Sequence, residues 1–298
     1  MSKIAYIDRT FGLAARKIID KANEIVAEYQ AQGFQLTLRQ IYYQFVSRDL
    51  IANTMQSYKR LGCIISNARL AGLIDWTAIE DRTRNVQSLS HWRTPSEIVG
   101  DCAEQFRLDK WADQPCRPEV WIEKEALAGV IEGVCRELDI SFLSCRGYTS
   151  QSEMWSSAMR LKAMIAAGQT PLILHLGDHD PSGLDMTRDI TDRLAMFMGG
   201  VKVIRLALNM DQIERYNPPP NPAKVNDSRF DAYQEQFGSE SWELDALEPS
   251  VLVQLIRDAV LAVRDERLWA EAVREEEGHR AILADEAGNL GKEDEDED

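Results

Sequence analysis

A chain of 298 residues is long enough for one large or two modest hydrophobic cores. Its 44% hydrophobic and 28% charged residues exclude a low-complexity chain, and no run approaches the roughly 20 apolar residues of a membrane span. The formal charge of −15 argues against uniform nucleic-acid binding, but residues 1–115 carry 15 Lys/Arg against 13 Asp/Glu, so the excess acid lies wholly beyond them.

In chain order, apolar positions at helical spacing predict a helix over residues 10–32, closed by Gly33. Thr37-Leu38-Arg39-Gln40 has the pattern of a capping box and opens a second helix through about Arg48, and residues 54–71 form a third. Residues 32–70 hold Arg39, Arg48, Lys59, Arg60 and Arg69 against the single acid Asp49, a basic face suited to DNA phosphates. Two short helices feeding a basic third, then the β-prone segment Gly72-Leu73-Ile74-Asp75-Trp76, predict a helix-turn-helix with a wing. A generic three-helix bundle is the alternative. Prolines 95, 115 and 118 set a boundary near residue 115, making residues 1–114 the predicted helical DNA-binding domain.

Beyond it the pattern alternates: a strand at 119–122, a helix over 125–138, a strand at 140–144, and a helix capped by Ser150 and ending at Gly168. A buried strand at 171–176, a helix from about Ser182 and a strand at 201–208 follow. Such alternation predicts an α/β fold with a mostly parallel sheet covered on both faces. Residues 216–228, with Pro218, Pro219, Pro220 and Pro222, read as an extended connector, and residues 250–284 are helical by period. Residues 115–284 are thus a second predicted domain, and the acidic residues 285–298 a disordered tail. Five cysteines without a C-x-x-C pair suggest buried free thiols, and the absence of a leader pattern or apolar span suggests a cytoplasmic protein with no membrane partner.

Chemistry on open α/β sheets sits at the carboxyl ends of the strands. Glu123 follows the first strand, and Gly177-Asp178-His179-Asp180-Pro181-Ser182-Gly183 follows the third. Residues i and i+2 of an extended segment point the same way, so Asp178 and Asp180 can address one point with Glu123 as a third carboxylate. Three such oxygens suit Mg²⁺, or Mn²⁺, which would relieve their repulsion and stabilise charge during phosphoryl transfer. The plainer reading makes Asp178 and Asp180 turn and N-cap residues. His175, inside an apolar run, reads as a core residue, and His179 should point away from the two aspartates. No G-x-x-x-x-G-K-[ST] loop occurs, so no ATP site is expected on this chain.

This arrangement resembles the Toprim domain, a Rossmann-like metal-binding fold whose motif is a Glu after one strand and D-x-D after a later one. Glu123-Lys124-Glu125-Ala126, Arg146-Gly147-Tyr148-Thr149-Ser150 and the segment 177–183 resemble the A subunit of topoisomerase VI and the related meiotic double-strand-break transesterase, in the compact form carried by phages and plasmids. The resemblance covers roughly residues 35–250 and implies a winged-helix domain bearing a catalytic tyrosine ahead of the Toprim domain. The family's tyrosine motif runs Arg, acidic, aliphatic, aromatic, Tyr. Arg39-Gln40-Ile41-Tyr42-Tyr43 matches it, with Gln40 in place of the acid, which implies Tyr43 as nucleophile and Arg39 as its helper. Glu243-Leu244-Asp245-Ala246-Leu247 resembles a late family motif, with Ser241 where Lys is usual, and is expected to be structural.

The implied activity is that of a type IIB topoisomerase A subunit: a Mg²⁺-dependent DNA transesterase, with Glu123 serving both metal and catalysis. Duplex DNA, a homodimer whose paired sites cut both strands, a separate ATPase subunit and a nucleoid-associated location are implied with it. A phenol with an ordinary pKa near 10 needs activation, and Arg39, one helical turn before Tyr43, is placed to supply a cation, while Tyr42 packs in the core. Two other readings compete: a Toprim nuclease that uses water, and a catalytically silent DNA-binding or assembly protein.

Overall fold

Burial of one apolar stripe organises the first three helices. In the computed structural model, which describes residues 3–79, 89–223, 225 and 227–296, α1 (Leu13–Ala31) buries Ile19, Ala22, Ile25, Val26 and Tyr29, spaced to fall on one face. Gly33 takes the left-handed conformation that releases the chain from α1. Thr37 then opens α2 (Leu38–Ser47) with the expected capping box: the Gln40 amide donates to its hydroxyl, and the Gln40 side chain accepts from its backbone N–H. α3 (Met55–Leu70) starts on Thr54, which accepts from the Ser57 amide. Residues 40–46 of α2 are all buried, so this helix is enclosed on both faces.

The expected wing strand is absent from residues 72–76. Gly72 turns the chain in the left-handed region, the Asp75 carboxylate accepts from both the amide and the hydroxyl of Thr77, and the Trp76 indole donates to the Ile4 carbonyl. The local Asp75–Thr77 bonds, with the long-range tie from Trp76 to Ile4, hold the backbone out of a ladder. Only isolated bridges remain there, Ala5 with Ala71 and Leu36 with Ile79. Residues 80–88 lie outside the described residues.

Next comes α4 (Pro95–Gln105), with Thr94 as N-cap and Pro95 in its first turn. Its main packing partner is the final helix. Four parallel strands follow, β1 (Cys116–Ile122), β2 (Phe142–Ser144), β3 (Thr170–Leu176) and β4 (Lys202–Ala207), in the order β2-β1-β3-β4. A 3-10 turn, Glu125–Leu127, and α5 (Ala128–Glu137) connect β1 to β2. α6 (Gln151–Ala166) leads to β3, and α7 (Pro181–Met198) to β4. Alternation along the strands divides the side chains: Val120, Ile122, Leu172 and Leu174 join α5 on one face, whereas Trp121 and Ile173 join α6 and α7 on the other. The result is a three-layer α/β arrangement.

After β4 comes α8 (Met210–Tyr216), and the predicted connector, residues 216–228, holds a two-residue strand, β5 (Asn221–Pro222), paired antiparallel with β6 (Glu240–Ser241) across α9 (Phe230–Phe237). A second 3-10 turn, Leu244–Ala246, precedes α10 (Pro249–Leu261) and α11 (Glu266–Asp296). α11 carries residues 285–296 of the expected disordered tail as helix, and residues 297–298 lie outside the described residues. Ala287 is buried, its carbonyl accepts from the Ser96 hydroxyl of α4, and Gly291 lies so close that a Cβ there would sit 3.2 Å from that hydroxyl. Small residues at these two positions let the helices approach, and composition alone conceals them. No helix among the described residues is long and apolar enough to cross a membrane.

Candidate functional site

With the strand order β2-β1-β3-β4, β1 and β3 are neighbours whose following helices leave to opposite faces. That divergence opens a crevice at their carboxyl ends, the usual ligand position in such sheets. Glu123 and the segment 177–183 lie there. The Glu123 amide donates to the Leu176 carbonyl, continuing the ladder by one rung, and the Glu123 carboxylate accepts from the Asp178 amide at 2.9 Å. Asp180 is the N-cap of α7, its side chain accepting from the Gly183 amide at 2.6 Å and the Ser182 hydroxyl at 3.0 Å. The capping role considered for Asp180 is therefore present, and α7 begins one residue earlier than the sequence pattern suggests. Gly183 has no alternative: a Cβ would lie 2.1 Å from the Asp178 carbonyl oxygen.

Asp178 is buried. Its carboxylate accepts from the Leu244 amide at 2.8 Å and pairs with Lys124 Nζ at 2.9 Å. Burial raises the pKa of both Glu123 and Asp178; the Asp178 charge also raises that of Glu123, and Lys124 works against the rise at each. Lys124 continues to Glu243 at 2.9 Å and Asp245 at 3.4 Å, and the three carboxylates together keep it charged despite its burial. Arg39 reaches the same pair from α2, contacting the Glu243 carboxylate and placing Nε 2.8 Å from Asp245, outside hydrogen-bonding alignment. Glu243, although partly buried, is held down at about 2 by Lys124 and Arg39.

Tyr43 shares a cleft of about 130 Å³ with Arg39, Asn53, Asn221 and Glu243. Its neighbour, about 410 Å³, is lined by Arg39, Glu123, Lys124, Arg146 and Asp245. Arg39 belongs to both, so the tyrosine and the acidic crevice are separated by one layer of ion pairs within a single chain. Tyr43 is 3% exposed, and its phenol is pushed well above its ordinary value by burial and by Glu243, against the opposing pull of Arg39. The Arg39 guanidinium carbon lies 5.8 Å from the Tyr43 ring centre, with its charge committed to Glu243 and Asp245. Tyr42 lines the same cleft, its hydroxyl donating to Asn53 at 2.8 Å.

The other basic residues read as DNA-binding divide. Lys59 and Arg60 are exposed on α3. Arg48 pairs with Glu28, and Arg69 is a structural stitch, donating to the Trp76 carbonyl at 2.6 Å and stacking on its ring, with burial lowering its pKa. His175 is fully buried and pushed down to about 3 by burial and by Arg205. Its Nδ1 lies 2.8 Å from the Thr187 hydroxyl, but Nε2 has no partner, which departs from a fully satisfied core histidine. His179 points away from the carboxylates as expected, into Tyr233, Phe237 and Trp242. Of the five thiols, Cys135 and Cys145 are buried, whereas Cys63 and Cys102 are exposed.

Glu123, Asp178, Asp180, Glu243 and Asp245 set five carboxylates against the three cations Lys124, Arg39 and Arg205, a net of −2 if all are ionised. Hard oxygen donors with this charge suit one divalent cation in chemistry. In geometry they do not yet form its cage: among the described residues no three His, Cys, Asp or Glu side chains are grouped to hold an ion, and Lys124 sits on Asp178. Sequence reasoning missed Lys124, Arg205 and the charged role of Glu243 and Asp245. Their signal was faint, because each acts across the fold on a residue 54 to 206 positions away or through backbone. Comparison with protein-family models finds no match, and comparison with curated proteins finds none.

Proposed function

We propose that the protein is a divalent-cation-dependent DNA transesterase of the type IIB topoisomerase A-subunit kind, with a three-helix unit that lacks the wing strand ahead of a Toprim-like sheet. One observation carries the reading: Arg39 lines both the Tyr43 cleft and the Glu123 cleft, which brings the tyrosine motif and the acidic motif to one place in the fold. Glu123, Asp178 and Asp180 would hold Mg²⁺ or Mn²⁺, which when bound stabilises negative charge on the phosphoryl group. Tyr43 oxygen forms a bond to phosphorus as a sugar oxygen leaves, and the proton lost from the phenol is matched by one gained by the released hydroxyl. The phosphotyrosyl link conserves the phosphodiester energy, so resealing needs no ATP. Release of Arg39 from Glu243 and Asp245 would free its guanidinium for the phenolate or the phosphate. Exposed Lys59 and Arg60 would hold the DNA backbone, and two copies of the chain would address the two strands.

The burial of Tyr43 favours a second reading, a nuclease of the same acidic site in which water attacks and the tyrosine is structural. Supercoiled plasmid incubated with protein and Mg²⁺, quenched with detergent and digested with protease, separates the two. The transesterase predicts protein covalently attached to DNA ends, and loss of cleavage in both Tyr43→Phe and Asp178→Ala. Cleavage that persists in Tyr43→Phe assigns the nuclease, and cleavage unaffected by Asp178→Ala removes both.

A further inference from the structure

Arg205 rises from β4 beneath the segment that carries Asp178 and Asp180. Every one of its five N–H groups has an acceptor. Nη2 donates to the carbonyls of Gly177 at 3.0 Å and Asp178 at 2.5 Å, Nη1 donates to the Gly183 carbonyl at 2.9 Å and the Thr187 hydroxyl at 2.8 Å, and Nε donates to the Leu208 carbonyl at 3.2 Å. Its acceptors therefore include both ends of the segment.

The consequence lies in the peptide planes. Gly177 C=O and Asp178 N–H belong to one peptide group, whose oxygen faces Arg205 and whose N–H donates to the Glu123 carboxylate. Asp178 C=O and His179 N–H belong to the next, whose oxygen also faces Arg205 and whose N–H donates to the Trp242 carbonyl. Fixing both oxygens fixes both N–H vectors, and the first of these aims Glu123. The packing leaves no slack: a Cβ at Gly177 would lie 2.9 Å from Glu123 Oε2 and 3.5 Å from Arg205 Nη1.

We propose that Arg205 is the positioning residue of the acidic site, a half-buried fork that locks two successive peptide planes and thereby sets the relative orientation of Glu123 and Asp178 for a divalent cation. This rests on the metal-binding reading above for its purpose, but the clamp itself exists without a cation and is testable without one. The role belongs to the fork and not to the charge. Lysine would keep the positive charge with three donors at one point, which cannot span carbonyls at both ends of the segment.

Two measurements on the full chain separate the alternatives. In metal-free protein, amide hydrogen exchange at Asp178 and His179 should speed up at least about tenfold in Arg205→Lys and in Arg205→Met, with exchange in the middle of β3 unchanged. Calorimetric titration with Mn²⁺ should show affinity weakened about tenfold in both variants, the scale of lost outer-shell support. Wild-type exchange rates in Arg205→Lys would overturn the proposal, as would tighter Mn²⁺ binding by Arg205→Met, which would make the residue a charge and not a clamp. Should Arg205→Met fail to fold, Arg205→Lys decides alone. Mn²⁺ binding absent from the wild type would sink the metal-binding reading and with it the stated purpose of the clamp; the exchange rates then decide whether the clamp exists.

Discussion

Gly183 and His175 show how single residues bound what the site tolerates. The clash at Gly183 is with backbone, at 2.1 Å, so no rotamer change relieves it. Gly183→Ala is expected to cost about 3 kcal/mol, read as a lower denaturant midpoint, with loss of the N-cap bond to Asp180; an unchanged midpoint would mean that the turn between β3 and α7 is looser than its geometry. His175 gives a pH signature. Its pKa in the fold, about 3, lies below the ordinary value of about 6.5, so between these the unfolded chain binds a proton that the folded protein refuses. Stability from this residue is complete above about pH 6.5 and is lost as pH falls toward 3. Replacing it by Asn should therefore reduce the slope of unfolding free energy against pH by about 1.4 kcal/mol per pH unit between about pH 4 and 6. Comparing slopes removes the opposite contribution of Glu123 and Asp178, whose raised values favour the folded state in acid. At this scale Glu123, Asp178 and Asp180 were legible because carboxylates after strands have a stated chemistry. Arg205 was not, since an arginine within Val203-Ile204-Arg205-Leu206 reads only as an interruption of a strand.

Capping residues made the helices legible. Thr37, Ser150 and the glycine after α1 stand where the sequence places them, and the alternation of strand and helix yields the parallel sheet. What stayed hidden depends on contacts between distant elements. The wing expected at residues 72–76 yields to the Asp75 turn and to the bond from Trp76 to distant Ile4, and the helix past residue 285 is seated on α4 at Ala287 and Gly291. That seat predicts its own test. Ala287→Glu places a charge on a buried contact and should detach the end of α11 from α4, costing about 2 kcal/mol, with faster amide exchange in α4 but not in α10. Equal exchange in α4 of the wild type and of Ala287→Glu would show that the two helices do not depend on this contact.

Across the whole molecule, the helical core and the sheet core meet at the short 3-10 turn Leu244–Ala246. Ala246 packs among the side chains of α1 to α3, Leu244 packs beneath the sheet, and the Leu244 amide holds the Asp178 carboxylate. The flanking acids secure the junction: Glu243 and Asp245 to Arg39 of α2, and Glu248 to Gln44 and Tyr29. No part of this junction was visible in the sequence beyond a motif resemblance, because its meaning depends on which residues from residue 29 to residue 178 come to face it. Mechanically, the turn is a lever with one arm in each core and an acidic site residue at its pivot. A load that draws α2 and α3 away from the sheet is shared among the ion pairs of Arg39, the Glu248 ties to Gln44 and Tyr29, and the backbone that steadies Asp178, so the acidic crevice lies on the path of force between the two cores.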